Sequence, residues 1–523
     1  MNRYLPFFLI LLISTGSFAQ RRVKLKKADN LVGSIRDGER FDRLIGNVVF
    51  MQNTTTIYCD SAHFFKTKNR IEAFGKVHIV DGDSVDVTSQ ALTYDGNDKV
   101  AHLRKKVVFT KLGIATLYTD NLDYDRKKNE ARYFNGGKLI DTTNVLTSKK
   151  GYYDVRTNLA AFKSDVVGVN PDYTLTSDTL QYNSKTKIIY FKDETTVKDK
   201  DGGVAVYKSG FYNTNKKLSA LSLGVIESVE YKIKGDEYDI DDAKKLYKAK
   251  GRVVMTSKEE NMLIFGDDSF YDKKTGISKV YGNAYVAKID DDLDTLFISA
   301  DTLVSIENKD PNKKRLLAYN QVKIFKKDLQ GIADSLVYRS FDSTIYFYQA
   351  PALWSSGNQM TADSIRIRLK NKKIDKLYMV ANSFVVSQDS MSNFNQIKGR
   401  NMTAAFKGSS INNVLVEGNA ESLYYALEEK EADLDSVHVK LTVTMGMNKM
   451  ICSKMRIIFE DGKVNTVNAY VKPDAQFIPP QEIKEADRKL KGFIWREDQR
   501  PTHEQVVRKP ANESQPGKIV KDP

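Results

Sequence analysis

Apolar and polar residues alternate with a period of two through most of the chain, the pattern of half-buried β-strands. Between Asp363 and Lys370, Asp363, Ile365, Ile367 and Leu369 take one side; Ser364, Arg366, Arg368 and Lys370 take the other. Leu180 and Tyr182 likewise oppose Thr179 and Gln181. Such stretches end in short basic-polar runs, as at Lys66-Thr67-Lys68-Asn69, Arg126-Lys127-Lys128-Asn129 and Asn371-Lys372-Lys373, whose residues favour turns. Strand, turn and strand make a hairpin-like unit, and no substantial helix is expected in the body.

The unit repeats. Cys59-Asp60-Ser61-Ala62-His63-Phe64 recurs as Thr119-Asp120-Asn121-Leu122-Asp123-Tyr124, Ser177-Asp178-Thr179-Leu180-Gln181-Tyr182 and Ala333-Asp334-Ser335-Leu336-Val337-Tyr338. The same frame fits around Gln90, Lys149, Lys208, Asp267, Asp301 and Asp363. The interval stays near ~30 residues and doubles once, between Lys208 and Asp267, where a unit over 221–265 has degenerated. Four places after the frame position stand Phe64, Tyr94, Tyr124, Tyr153, Tyr182, Tyr212, Tyr271 and Tyr338, with Ser305 and Ile367 as exceptions. Asp or Asn follows at once in six units: Asp95, Asp125, Asp154, Asn183, Asn213 and Asp272.

A unit this small cannot bury its apolar face alone, so neighbours must stack. The expected fold is all-β, an elongated twisted β-jelly-roll or solenoid of repeats, with a short disordered or helical C-terminal tail. The boundaries are a signal peptide over 1–19, repeats over 20–220, the degenerate repeat over 221–265 and repeats over 266–472. Beyond 473 the chain is Pro-rich and charged, with one short helix expected over Gln481–Lys491.

The first residues read as an export signal. Arg3 precedes an apolar run from Leu5 to Ile13, and small residues at Ser17 and Ala19 mark a cleavage site after Ala19. No Cys follows that site to take a lipid anchor, and no later apolar run is long enough for a transmembrane helix. Export predicts the periplasm, with the outer membrane as a place of association. Cys59 and Cys452 are the only cysteines, so a disulfide scaffold is excluded. Two buried or unpaired thiols are expected over one long-range bridge.

Eighty-one basic against 67 acidic residues leave a formal charge of +14, which favours an anionic partner. An exported chain seldom meets nucleic acid, so phosphates and acidic sugars of a glycolipid are the better match. Much of the charge sits in Lys-rich turns, where a solvated rim is the simplest account. Catalytic chemistry lacks its patterns. His63, His78, His102, His438 and His503 are scattered without the close spacing that zinc requires. The acidic patches at Asp81-Gly82-Asp83, at Asp199 to Gly202 and at Asp290 to Asp294 complete no calcium loop and read as turns. Nucleophile-elbow, Walker and dinucleotide motifs are missing, so no cofactor, catalytic residue or metal is assigned. An Asp that recurs once per unit is better explained as a structural cap than as a catalyst.

The frame of small-Asp-small-Leu-x-Tyr-Asp, a Lys-rich turn and Gly-x-Val-x-apolar resembles the OstA-like family, that of the periplasmic lipopolysaccharide-transport protein LptA and the N-terminal domain of LptD. The clearest matches are Asp60–Ile79, Gln90–Phe109, Asp120–Leu139, Asp178–Val197 and Asp267–Val286, and the likeness extends over roughly 41 to 420. It implies a twisted β-jelly-roll, open along one side, whose apolar interior takes acyl chains of lipopolysaccharide. It also implies stacking with related β-jelly-roll proteins of the envelope, or end to end with itself. The lipid-groove candidates, which share one parity, are Phe64, Tyr94, Leu122, Tyr124, Leu180, Tyr182, Leu336, Tyr338, Ile365 and Ile367. Two readings compete: a secreted β-helix enzyme acting on polysaccharide, which lacks a carboxylate or Arg cluster here, and an envelope scaffold without ligand.

Overall fold

The computed structural model describes residues 22–507, apart from 228–230, 259–260, 290–293, 371–372, 408–409, 435–436 and 461–462. The expected signal peptide and the last sixteen residues, 508–523, lie outside the described residues. Thirty-seven strands, four single 3-10 turns and one four-residue helix, His503–Val506, make up the regular structure among them. The chain divides into two compact units. One runs to Lys200 with Asn213–Asn215; the other takes Asp201–Tyr212 and everything from Lys216.

In the first unit, Glu39–Gln52, Thr55–Phe65, Arg70–Asp81, Val85–Asp95, Val100–Lys111 and Ala115–Asp125 pair antiparallel in chain order. Each strand bends near its middle, where pairing skips residues: Ile45 to Val48, Tyr58 to Ser61, Phe74 to Val77, Thr88 to Ala91 and Arg104 to Val107. In Thr55–Phe65 the alternating buried positions are Thr55, Ile57 and Cys59, then Ala62 and Phe64, with Phe65 buried as well at the strand's end. The inserted residue resets the alternation, so both arms of a bent strand keep an apolar face inward. A strict period of two across the bend would have turned one arm inside out.

Every second strand makes this corner with two consecutive residues at positive φ. Gly46-Asn47, Gly75-Lys76, Lys105-Lys106, Ser164-Asp165, Gly251-Arg252, Gly282-Asn283, Asn320-Gln321 and Ala381-Asn382 all do so. The recurring Asp sits on the neighbouring strand facing that pair. Lys106 N donates to Asp120 Oδ1 at 3.0 Å, and the Asn283 and Asn382 side-chain amides donate to Asp267 and Asp363. Backbone N–H groups of successive left-handed residues form an anion-accepting concavity, which explains why a carboxylate recurs there. At Gly75 a Cβ would lie 2.6 Å from Asp60 Oδ2, so the carboxylate occupies the space a side chain would need. Asp363 is therefore not inward with Ile365 as the alternation suggests; it is exposed at the corner, where the phase resets.

The Asp or Asn after the aromatic caps the following turn. Asp95 Oδ1 accepts from Asn97 N and Asp98 N, Asp125 from Lys127 N and Lys128 N, and Asn183 from Lys185 N and Thr186 N.

The second unit continues the pattern. Leu218–Glu227, Tyr231–Asp241, Leu246–Ser257 and Met262–Asp272 pair in order through the segment that reads as degenerate. Asp236 faces Gly251 there and binds the Arg252 guanidinium. What changed is the aromatic: Tyr238, 1% exposed, comes two places after Asp236 instead of four. Cys59 and Cys452 are buried free thiols, and burial pushes the Cys59 thiol up to about 12.

The end of the chain departs from the expected disordered tail. Asp474–Ile478 is a strand paired to Val437–Glu460, and single 3-10 turns stand at Pro480–Glu482 and Glu485–Asp487 where one helix was expected. Ile478, Leu490, Ile483, Phe493 and Trp495 join Phe384, Val386, Leu423, Tyr425 and Met447 in a core cluster. Val506 is wholly buried, and the His503 ring packs edge-on against Phe297 at 4.8 Å. Charged composition hid a handful of apolar anchors, which suffice to hold a strap.

Candidate functional site

Because each strand of the first unit bends, its two ends come round toward each other. One row of turns holds residues 53–54, 82–84, 112–114 and 141–144; the other holds 66–69, 96–99, 126–129, 155–158 and 184–187. Backbone bonds run along each row, from Gly82 N to Thr54 O and Leu112 N to Ser84 O in the first. In the second they run from Arg126 N to Lys99 O, Val155 N to Asn129 O and Ser184 N to Asn158 O.

The bonds that cross from one row to the other are made by side chains. Gln52, 3% exposed, accepts from Tyr94 Oη at 2.5 Å and donates from Nε2 to Gly96 O at 2.8 Å. Asp81 receives Arg126 Nε and Nη2, each at 2.8 Å, together with Tyr124 Oη at 3.1 Å and Thr55 Oγ1 at 2.6 Å. Asp141, whose side chain is fully buried, receives Lys187 Nζ at 2.8 Å and the Tyr182 hydroxyl; Asn144 Nδ2 also reaches that hydroxyl at 3.0 Å. The tyrosines of the repeated row thus place their rings inside and their hydroxyls on this seam, the arrangement expected of a buried tyrosine.

The charges are compensated. Burial raises the Asp81 carboxyl, but the Arg126 guanidinium and the Thr55 and Tyr124 hydroxyls outweigh it and hold it below the usual carboxylate range. Burial likewise raises Asp141, and Lys187, Tyr182 and the Thr143 and Asn144 amides reverse the sign. Tyr124 and Tyr182 are pushed well up by burial and by their carboxylate partners, so both stay protonated donors.

Of the groove candidates in this unit, Phe64, Tyr94, Leu122, Tyr124, Leu180 and Tyr182 are all buried beneath the seam. Phe64 packs on Phe50 at 5.3 Å and Tyr124 on Phe109 at 5.4 Å. In the second unit Leu336, Ile365 and Ile367 share one buried cluster, and Tyr338 is half-buried against it. The seam residues themselves escape a sequence reading. Asp81 and Asp141 do stand two repeat intervals apart, as nearly do Arg126 and Lys187, and that spacing was the available signal.

Where the first unit has side-chain latches, the second has the C-terminal strap along its first-row turns. Gln359, 0% exposed, donates to Ile494 O at 2.7 Å and accepts from Arg496 N at 2.6 Å. Gln396, equally buried, donates to Arg488 O and accepts from Leu490 N, both at 2.8 Å. Gln330 Oε1 accepts from Arg500 Nη2 at 2.6 Å. Gln359 and Gln396 thus bond the strap's backbone as a neighbouring strand would, while Gln330 holds the Arg500 guanidinium. Among the described residues no three potential metal ligands lie together, and no helix is long and apolar enough to cross a membrane.

Residues 20–178 match the family model described as OstA-like protein, so the chain carries an OstA-like region. No curated protein matches the chain. Among solved structures it is similar to the crystal structure of LptH, the LptA homologous periplasmic component of the conserved lipopolysaccharide transport device from Pseudomonas aeruginosa. Identity is 18%, the match covers 23% of this chain and 82% of that one, and the TM-score is 0.20.

Proposed function

We propose that this protein is a non-catalytic periplasmic carrier that binds lipopolysaccharide or a related anionic glycolipid during outer-membrane biogenesis. The reading rests on the OstA-like region and on one observation in the unit that contains it. The row of interior aromatic and aliphatic side chains lies beneath a seam whose cross-bonds come from side chains. Side chains can rotate away without unpairing a strand, so the seam can part while the sheet persists. Acyl chains would then take the place of the side-chain seal and lie against Leu122, Tyr124, Leu180 and Tyr182.

The partners proposed are other β-jelly-roll transport proteins of the envelope, or further copies of this chain. The strand Asn30–Arg36 supports this. It pairs with Glu39–Gln52, yet Leu31, Val32 and Ile35 are 52%, 54% and 72% exposed. An apolar edge strand of this kind favours pairing with another chain.

The test is native mass spectrometry of the mature protein purified from its own envelope, joined to photo-crosslinking. Lipopolysaccharide should co-purify, and a photoreactive residue at Leu122 or Leu180 should label its acyl chains while one at the outward Arg132 does not. Equal labelling at inward and outward positions would overturn the reading. The absence of any bound lipid would favour the ligand-free scaffold.

A further inference from the structure

The seam repeats, but one rung breaks its charge pattern. Asp81 and Asp141 each end or follow a strand at the first row of turns, and each receives a cation from the second row. The residue at the intermediate rung is Lys111, the last of Val100–Lys111. No carboxylate stands there for the tyrosine of that rung, and Tyr153 instead bonds Asn158 and Ser184, at 3.3 and 3.0 Å. The seam is unlatched at this point. A notch of about 440 Å³ lies there, lined by Ser84, Lys111, Asn129, Arg156, Asn158 and Lys185 among others.

Three cations line this notch and no carboxylate does. Among the described residues none of the three belongs to a salt bridge. Lys111 is half-buried; Arg156 and Lys185 sit in the second-row turns and are exposed. Asn158 spends its Oδ1 on Tyr153, which leaves its amide nitrogen to donate, and Ser84 and Asn129 add polar groups. Cations that share a concavity without a counter-charge raise the local potential and attract an anion. Arg and Lys side by side with neutral donors is the set that suits tetrahedral oxyanions, since each oxygen can take a charge-assisted bond.

We infer that the notch at Lys111 is a binding site for a phosphate-bearing anion, which supplies from outside the negative charge that Asp81 and Asp141 supply at the neighbouring rungs. Two sources share this chemistry: a phosphomonoester on a glycolipid headgroup, or free inorganic phosphate. For the headgroup the inference rests on the function proposed above; for free phosphate it stands without it. In the first case the site would fix the headgroup at the rim while its acyl chains pass inside the seam.

The experiment titrates the mature full chain by calorimetry with three probes: inorganic phosphate, lipopolysaccharide, and the same lipopolysaccharide stripped of its phosphates. Lys111→Asp reproduces the charge found at the rungs of Asp81 and Asp141. Lys105→Asp, at an exposed corner, carries the same charge change elsewhere. Arg156→Gln with Lys185→Gln removes two exposed cations without touching packing. Phosphate-bearing probes should bind wild type and Lys105→Asp alike, and lose about tenfold or more in affinity with Lys111→Asp, the loss expected for one charge-assisted contact. The double Gln variant should lose at least as much. Inorganic phosphate binding with that pattern supports the site even if lipopolysaccharide never binds, and then the carrier function fails alone. Lipopolysaccharide that binds equally with and without phosphates, and equally to Lys111→Asp, overturns the site and leaves the carrier function standing. Binding of no probe overturns both.

Discussion

Arg126 holds Asp81 through both its Nε and a terminal nitrogen, each at 2.8 Å, across 45 residues of chain. The two side chains are 9% and 13% exposed, so the pair is nearly dry. A planar guanidinium meeting a carboxylate through two parallel bonds fixes geometry as well as charge. This pair therefore sets the width of the seam at its rung.

Breaking the pair from one side strands the other charge. Arg126→Gln should destabilise the protein by on the order of 3 kcal/mol, the usual cost of leaving a buried ion uncompensated. Asp81→Asn with Arg126→Gln should cost less than the two singles summed. Urea unfolding of the four proteins of the cycle reads the coupling, and strict additivity would show that the pair does not act as a latch.

Acid should loosen the seam. The folded protein holds the Asp81 and Asp141 carboxyls below their ordinary range, so each contributes stability that is fully present above that range. That contribution is lost as pH falls through the lower folded value. Thermal melts should therefore be flat with respect to these groups near neutrality and decline only below about pH 4. Asp141→Asn should flatten its share of the decline, and a variant that keeps the full acid slope would exclude Asp141 from it.

The corners carry a separate cost. Asp120→Ala removes the acceptor for Lys106 N and should destabilise by on the order of 1 kcal/mol. Gly75→Ala meets both the left-handed backbone, φ 70°, and the Asp60 carboxylate, and should cost about 1–2 kcal/mol from the backbone alone. Asp60→Ala in the same protein should recover the steric part. Identical melting of Gly75→Ala and wild type would refute the corner geometry.

The strap should be separable from the sheet beneath it. Gln396→Ala leaves Arg488 O and Leu490 N without their partner, a penalty of about 1–3 kcal/mol per buried group. Hydrogen exchange should then rise at Leu490 and neighbouring amides while Val414–Val416, in the sheet core, stay protected. Uniform loss of protection would mean that the strap is no separate layer.

An exposed strand edge predicts association. Ile35→Lys with Val32→Lys should lower any concentration-dependent assembly seen by light scattering, because inward or flat apolar edges aggregate and charged edges do not. Unchanged assembly would place the contact elsewhere.

Much of this was legible in the alternation of residues. Tyr94, Tyr124 and Tyr182 recur at one parity, and they are buried as that parity requires. The recurring Asp reads as structural, and Asp120, Asp267 and Asp363 do meet corner amides. The corners opposite them were not legible. Lys105-Lys106, Ser164-Asp165 and Ala381-Asn382 adopt the same backbone with no shared residue type, so no residue signature marks the corner. The latches hid for another reason: Asp81 and Arg126 are joined only after two strands have bent, and periodicity along a strand carries no record of what its ends will face. The strap was masked by average composition, since Leu490, Phe493, Trp495 and Val506 are few among charged neighbours.

The seam bonds fall into separate sets: Gln52, Tyr94, Asp81 and Arg126 form one, joined because Arg126 Nη1 donates to the Tyr94 hydroxyl at 3.2 Å, and Asp141 with Lys187 and Tyr182 forms another. A closure built that way behaves like the teeth of a zip. The work of opening is set by the tooth being parted rather than by the length of the fastener, so the highest barrier stays at the scale of one such set. A long, flexible passenger would advance in increments of one tooth, and those behind it would re-engage. The speed of its progress would then be governed by the tightest single tooth.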